Sequence, residues 1–240
     1  GLYRLNQMLK RMISFVKPAI PLGKNIHCRT FTKVFFEKIA FEPNKENLIN
    51  NFSNHKKVPI QYMDQIHGKN VQYVKSPTFK SLSKTDALIT NIDNCALAAM
   101  TADCLPIALS LEDGSKFGII HAGWKGLLSN LIETFIERIE SDDSKIKAWI
   151  GPSISAKNYE VGREVYELFI EKDTSSQSSF TQINKDKWLF DLQMEAIRIL
   201  DLRNISSENS DICTYDSENM YSYRKNRTNE RLVTIIWRTQ

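Results

Sequence analysis

Between Asn70 and Ile150 the chain passes through one short apolar run after another: Asn70–Val74, Ala87–Thr90, Ala96–Met100, Pro106–Leu111, Phe117–Ile120 and Ile146–Ile150, with Leu232–Trp237 near the end. Runs this short, bounded by polar or glycine-containing turns, suit strands better than helices. One strongly helical stretch breaks the series. After Gly126, residues Leu127, Leu128, Leu131, Ile132, Phe135, Ile136 and Ile139 fall on one helical face. Weaker helices are predicted from about Tyr159 to Ile170, and from Asp191, as N-cap, to Leu200. Polar stretches at Asp173–Ser179 and Ser206–Ser210 read as surface loops. Several strands ahead of the first strong helix predict an α+β fold, with a mixed β-sheet core flanked by helices in a single domain.

Composition narrows the function classes. The net charge of +4 comes from 32 basic and 28 acidic residues. Residues 1–33 carry seven basic side chains and no acid, so the rest of the chain is slightly acidic, which argues against a dedicated nucleic-acid binder. Pro18 and Pro21 interrupt an amphipathic leader, and no apolar run approaches the ~20 residues that span a bilayer. The four cysteines form no C-x-x-C pair and are read as reduced thiols of a cytoplasmic protein, with Cys28, Cys95 and Cys213 as buried structural residues.

Three segments each place a metal-capable side chain beside glycine or proline: Gln65-Ile66-His67-Gly68, Thr101-Ala102-Asp103-Cys104-Leu105-Pro106 and His121-Ala122-Gly123-Trp124-Lys125-Gly126. The third reads as a strand-to-helix turn. There Gly123 and Gly126 would permit positive φ or close backbone approach, free amides would attract an anion, and Lys125 would add charge. The spacings, 37 residues from His67 to Cys104 and 17 on to His121, match no local zinc motif. Taken singly, a histidine or cysteine is more often a structural residue than a ligand.

Together, QIHGKNV, MTADCLPI, HAGWKGL, IGPSIS followed by YEVG, and CTY with YSYR near the end resemble one family from Met12 to Trp237. These are the laccase-domain proteins, once called multicopper polyphenol oxidases and now purine nucleoside phosphorylases of broad activity. The resemblance implies a domain over 12–240, with residues 1–11 an upstream extension or cloning remnant, and a fold similar to that of certain toxin deamidases. It implies a metal site of His67, Cys104 and His121 holding Zn2+, with Cu2+ as the alternative. It also implies phosphorolysis of adenosine, inosine, guanosine or methylthioadenosine, together with adenosine deamination. The partners are then purine nucleosides and phosphate, without nucleic acid or membrane.

On this reading Lys125, the turn Gly123–Gly126 and Arg224 are candidates for phosphate or substrate, as is Gln65. Asp103 and Asp86 are candidates for proton donor or for partner of a metal-bound histidine. Two departures from the family pattern stand out. The stretch His27–Lys33 lacks the usual glycines and reaches Glu46-Asn47 early, so that Arg29 is expected to compensate for a lost substrate contact. Glu230 also replaces a usual glycine before Arg231. Tyr221, Tyr223, Arg224, Lys225, Arg227 and Arg231 read as site residues and a solvated basic face rather than an RNA-stacking strip, and Trp124 and Trp149 as core or pocket wall. Two other chemistries compete. A copper-dependent phenol oxidase needs more histidine ligands than four histidines supply. A thiol hydrolase or deamidase would use Cys104 activated by His121.

Overall fold

A computed structural model describes Arg4 and residues 13–40, 58–78, 80–142 and 144–240. The expectations for residues 1–11 (Arg4 apart) and for Glu46-Asn47 lie outside the described residues. The strands are β1 (Phe15–Val16), β2 (Ile26–Phe31), β3 (Ile60–Gln61), β4 (Val71–Val74), β5 (Ala87–Thr90), β6 (Ala96–Thr101), β7 (Leu105–Leu111), β8 (Phe117–Ala122), β9 (Ile146–Ile150), β10 (Glu160–Gly162), β11 (Phe180–Asn184), β12 (Lys187–Phe190), β13 (Ser206–Asn209) and β14 (Leu232–Arg238). The α-helices are α1 (Lys33–Ala40), α2 (Trp124–Leu128), α3 (Leu131–Ile139), α4 (Arg163–Lys172), α5 (Leu192–Leu202) and α6 (Tyr223–Asn226).

Two mixed sheets stack. One runs β13-β9-β7-β8-β5-β4, the other β1-β2-β14-β6-β3, and a small sheet β10-β12-β11 stands apart from both. Alternate residues of each central strand serve opposite layers. In β8, Phe117 and Ile119 join Leu97, Ala99 and Ile236 of the second sheet, while Ile120 and Ala122 face the helices with Phe135 and Leu200. All seven residues of β7 are buried because both of its faces are covered, which accounts for its unbroken apolar character. The outer face of the second sheet packs Phe31, Ile235 and Trp237 against Phe35 and Phe36 of α1.

All seven predicted strands are present, displaced by at most a residue or two at their ends. The predicted helix after Gly126 is two helices: Asn130 adopts φ 63°, a left-handed conformation asparagine tolerates, and α3 restarts with Leu131. The helix predicted from Tyr159 begins only at Arg163, after a 3-10 turn and β10. Asp191 caps α5 as expected, accepting a hydrogen bond from Met194 N–H. The two predicted loops differ from expectation. Asp173–Ser179 contains a 3-10 helix that buries Ser176 and Ser179, and Ser206–Asn209 is an edge strand parallel to β9. β1, β2, β3 and the small sheet lacked a strong enough alternation to be seen in the sequence.

Candidate metal centre

Strand register, not sequence spacing, gathers the site. β7 and β8 pair antiparallel with Leu105 opposite Ala122 and Pro106 opposite His121. This leaves Cys104, one residue before β7, facing Gly123, one residue after β8. β5 pairs antiparallel with the other edge of β8, Ala87 opposite Ile120, and His121 N–H donates to the Asp86 carbonyl. Cys104 lies where the chain crosses from β6, in one sheet, to β7, in the other. Asp103 makes that crossing with φ 112°, and the Asp103 carbonyl accepts from Ile154 N–H.

The third segment is brought in by a buried carboxylate. Asp86, fully buried, accepts from Ile66 N–H (3.2 Å) and Gly68 N–H (2.8 Å) at Oδ1, and from His67 N–H (3.1 Å) at Oδ2. Oδ2 also meets His121 Nδ1 at 2.7 Å. One carboxylate therefore wraps the 66–68 turn around itself, with His67 at φ 57°, and fixes the His121 ring with Nε2 turned away. Gln65 ties the same loop to β6: its Nε2 donates to the Met100 carbonyl (2.7 Å) and its Oε1 accepts from Met100 N–H (2.8 Å).

One nitrogen from each of His67 and His121 and the Sγ of Cys104 then lie within 4.8 Å of one another, and the two rings meet edge to face with centroids 4.8 Å apart. Burial opposes charge on Cys104, yet hydrogen bonds and charge from His121 and His67 outweigh it and bring the thiol down to about 6. Burial likewise opposes the imidazolium of His121, while hydrogen bonds to Asp86 and Cys104 and their charges raise it to about 9. The Asp86 carboxyl is held low: burial works against it, and the His121 and Gly68 hydrogen bonds prevail.

Glycine at 123 is a steric requirement. A Cβ there would stand 2.9 Å from Cys104 Sγ and 3.4 Å from the His67 ring. The expected anion-binding turn takes a different form. Gly123 has φ −87°, α2 is only five residues long, and Gly126 is buried against Leu131 and the Gly68 carbonyl instead of lining the cleft. These glycines serve close approach, not positive φ.

The triad sits in a cleft of about 1060 Å³, whose walls include Gln65, Asp103, Trp124, Lys125, Tyr159, Tyr223, Arg224 and Arg231. Lys125 bears no ion pair or hydrogen bond to a described residue at its ammonium, which lies 5.6 Å from the Trp124 ring centroid. Arg224 donates to the Glu160 carbonyl and lies over the Tyr159 ring. Asp103 has both oxygens engaged, by Thr214 Oγ1 and by Arg224 N–H, each at 2.7 Å. Asp86 lies behind His121, outside the cleft. Arg29 is not brought to the cleft. Its guanidinium stacks over Phe15 (4.2 Å) and Trp237 (5.6 Å) on the outer face of the second sheet, the face to which odd-numbered residues of β2 point. Arg231, beside the substituted Glu230, donates to the Thr228 and Glu230 carbonyls. Tyr159 was not singled out from the sequence, although the YEVG motif contains it. Cys213, expected as a buried thiol, is only partly buried and accepts from Ser155 N–H and Oγ and from Asn158 Nδ2.

A profile of the family described as multi-copper polyphenol oxidoreductase laccase matches residues 37–239. The chain belongs to this family. Among relatives, the purine nucleoside phosphorylase YfiH of Escherichia coli K12 is 33% identical over 178 residues, covering 73% of this chain and 72% of that protein. A purine nucleoside phosphorylase of Haemophilus influenzae is 28% identical over 243 residues, covering 92% of this chain and 98% of the relative. The crystal structure of a Neisseria meningitidis protein shares the fold, with a TM-score of 0.84 at 23% identity over 95% of this chain and 100% of that one. The fold is thus the mixed α/β architecture of this family, and relatives within it carry the phosphorylase name. No helix among the described residues is long and apolar enough to cross a membrane.

Proposed function

We propose that the chain is a zinc-dependent purine nucleoside phosphorylase that also deaminates adenosine. The observation that carries this reading is the convergence of His67, Cys104 and His121 in the lining of a cleft with cationic walls. Two imidazoles and a thiolate suit zinc, and three protein ligands leave a position open, the mark of a catalytic rather than a structural site. The donor set fits the ion: Asp86 holds the His121 Nδ1, and Cys104 is already poised as thiolate. A zinc ion held there supplies Lewis-acid polarisation of a bound reactant.

The remaining roles belong to the chain itself. Asp86 is a positioning residue for both histidines, through the ring of His121 and the backbone of His67. Lys125, with Arg231 and Arg224 on the same walls, receives phosphate, since an unpaired ammonium in a concave site attracts an anion. Gln65 holds the His67 loop, its amide already spent on Met100. Asp103 anchors α6 through Arg224 N–H and Thr214 through its other oxygen, so both of its oxygens are already engaged. A copper oxidase reading finds little support in the donors: of four histidines, His27 is occupied with Trp237 and Thr239 on the far face.

The test is turnover of adenosine by the zinc-loaded protein, with and without phosphate. Ribose 1-phosphate and adenine formed only with phosphate support phosphorolysis, and inosine formed without phosphate supports deamination. Activity that survives chelation but is lost on alkylating Cys104 would replace this reading with a thiol mechanism. Oxygen uptake with phenols and no nucleoside turnover would replace it with an oxidase.

A further inference from the structure

We propose that Tyr159 is a catalytic residue of this cleft, its hydroxyl donating a hydrogen bond to the purine as the base departs. The inference rests on the phosphorylase reading.

Tyr159 is held from both its backbone and its ring. It ends the 3-10 turn Ala156–Asn158, with its N–H donating to the Ala156 carbonyl and its own carbonyl accepting from Phe190 N–H. The Arg224 guanidinium covers one face of the ring at 4.8 Å, and Phe190 packs at 6.2 Å between centroids. The hydroxyl makes no hydrogen bond to a described residue, although the side chain is half-buried in the cleft wall beside Asp103 and Cys104. A fixed phenol in a cleft wall, its hydroxyl without a hydrogen bond to a described residue, is placed to meet a ligand.

The other acids of the site are less suited. Asp103 has both oxygens engaged, Asp86 lies behind His121, and Asp64 is solvent-exposed at the rim. A departing purine gains negative charge only as its bond breaks, so a hydrogen bond donated to it is strongest in the transition state. In the reaction the C1′–N9 electron pair passes to the purine while a phosphate oxygen bonds C1′. Nucleoside and hydrogen phosphate become ribose 1-phosphate and neutral purine, the proton of hydrogen phosphate ending on the base. Tyr159 hydrogen-bonds the base as charge develops on it and keeps its own proton, while solvent carries the phosphate proton to the base.

Tyr159→Phe removes the hydroxyl and keeps the ring for Arg224 and Phe190. In the zinc-loaded full chain, kcat for adenosine phosphorolysis is expected to fall about 100-fold, with KM nearly unchanged and zinc content and Tm retained. With 7-methylguanosine, whose cationic base departs without needing a proton, the loss is expected to stay under about threefold. Equal losses on both substrates, or none on adenosine, would overturn the assignment of Tyr159 alone. If the wild type leaves 7-methylguanosine intact, the split between kcat and KM on adenosine decides: a loss carried by KM overturns it. A wild type that releases no adenine in the presence of phosphate overturns the phosphorylase reading, and this inference with it.

Discussion

Asp86, at the end of the six-stranded sheet, and Glu195, on α5 beside the small sheet, are both buried and both accept hydrogen bonds at each oxygen. Their partners differ. Glu195 takes the hydroxyls of Ser176 and Ser179 and the guanidinium of Arg198, which continues to Asp173, so its charge is met by a cation within a closed network. Asp86 takes three backbone N–H groups and one imidazole nitrogen, and the other nitrogen of that imidazole remains available beside Cys104 and His67. The first carboxylate fastens a serine-rich segment to a helix. The second spends its bonds on orienting groups whose other ends converge with Cys104 at the cleft. Burial and saturation are shared, so neither marks a functional carboxylate. What separates the two is whether the partners' second ends meet other metal-capable groups.

Breaking each carboxylate is the strongest way to test that contrast. Asp86→Ala releases the His121 ring and the 66–68 turn together, and zinc affinity is expected to fall about 100-fold, with turnover falling at least as far. Isothermal titration with zinc measures the first and adenosine phosphorolysis the second. Glu195→Ala should do the reverse. It leaves Arg198 paired with Asp173 but takes the acceptor from two buried hydroxyls, and is expected to cost about 2 kcal/mol of stability, read as a Tm loss on the order of 6 °C. Zinc affinity should be retained. If Glu195→Ala weakened zinc binding as much as Asp86→Ala, the division of labour would be wrong.

These two networks were unequally legible in the sequence. The metal-capable residues stood out beside glycine and proline, but the 37- and 17-residue separations carry no information on convergence. Part of the answer was present and unused. Asp113-Gly114 sits between two apolar runs, and the turn it makes, with Gly114 N–H donating to the Leu111 carbonyl, sets the β7–β8 register that brings Cys104 to Gly123. The pairing of β5 with β8, which places Asp86, is non-local, and no local signal announces it. The Glu195 network was hidden for a different reason. A run of serines reads as solvated loop, and nothing nearby in sequence shows that a glutamate 16 residues on from Ser179 will bury its hydroxyl. Which purpose the glycines of Gly123–Gly126 serve was not legible, because glycine's two uses, positive φ and close approach, look identical in a sequence.

That last point yields a smaller but sharper test. Gly123→Ala leaves φ −87° accessible to any residue, so the substitution probes approach alone. The added methyl would press on Cys104 Sγ at 2.9 Å, with backbone on one side and a thiolate on the other. Zinc affinity is expected to drop about 10-fold for a cost near 1–2 kcal/mol in stability. Gly126→Ala, whose nearest neighbour would be a leucine methyl at 3.2 Å, should leave zinc affinity unaltered.

The mildest probe needs no substitution. Cys28 and Cys95 are fully enclosed, and burial alone raises both thiols, Cys95 to about 11, so they should resist iodoacetamide until the protein unfolds. Cys104 is the opposite case. In zinc-free protein its thiolate forms as pH rises through about 6, because the histidines stabilise the charge that burial opposes. Its alkylation rate, followed by mass spectrometry, should therefore reach half its plateau near pH 6 and be flat above pH 7, where an ordinary thiol is still climbing toward 8.5. Zinc should abolish that reaction while leaving Cys213 labelling untouched, since Cys213 is held by Ser155 and Asn158 outside the triad. A Cys104 profile centred near 8.5 would mean that the two imidazoles do not face the sulfur, and the ready-made donor set drawn from Asp86 would lose its basis.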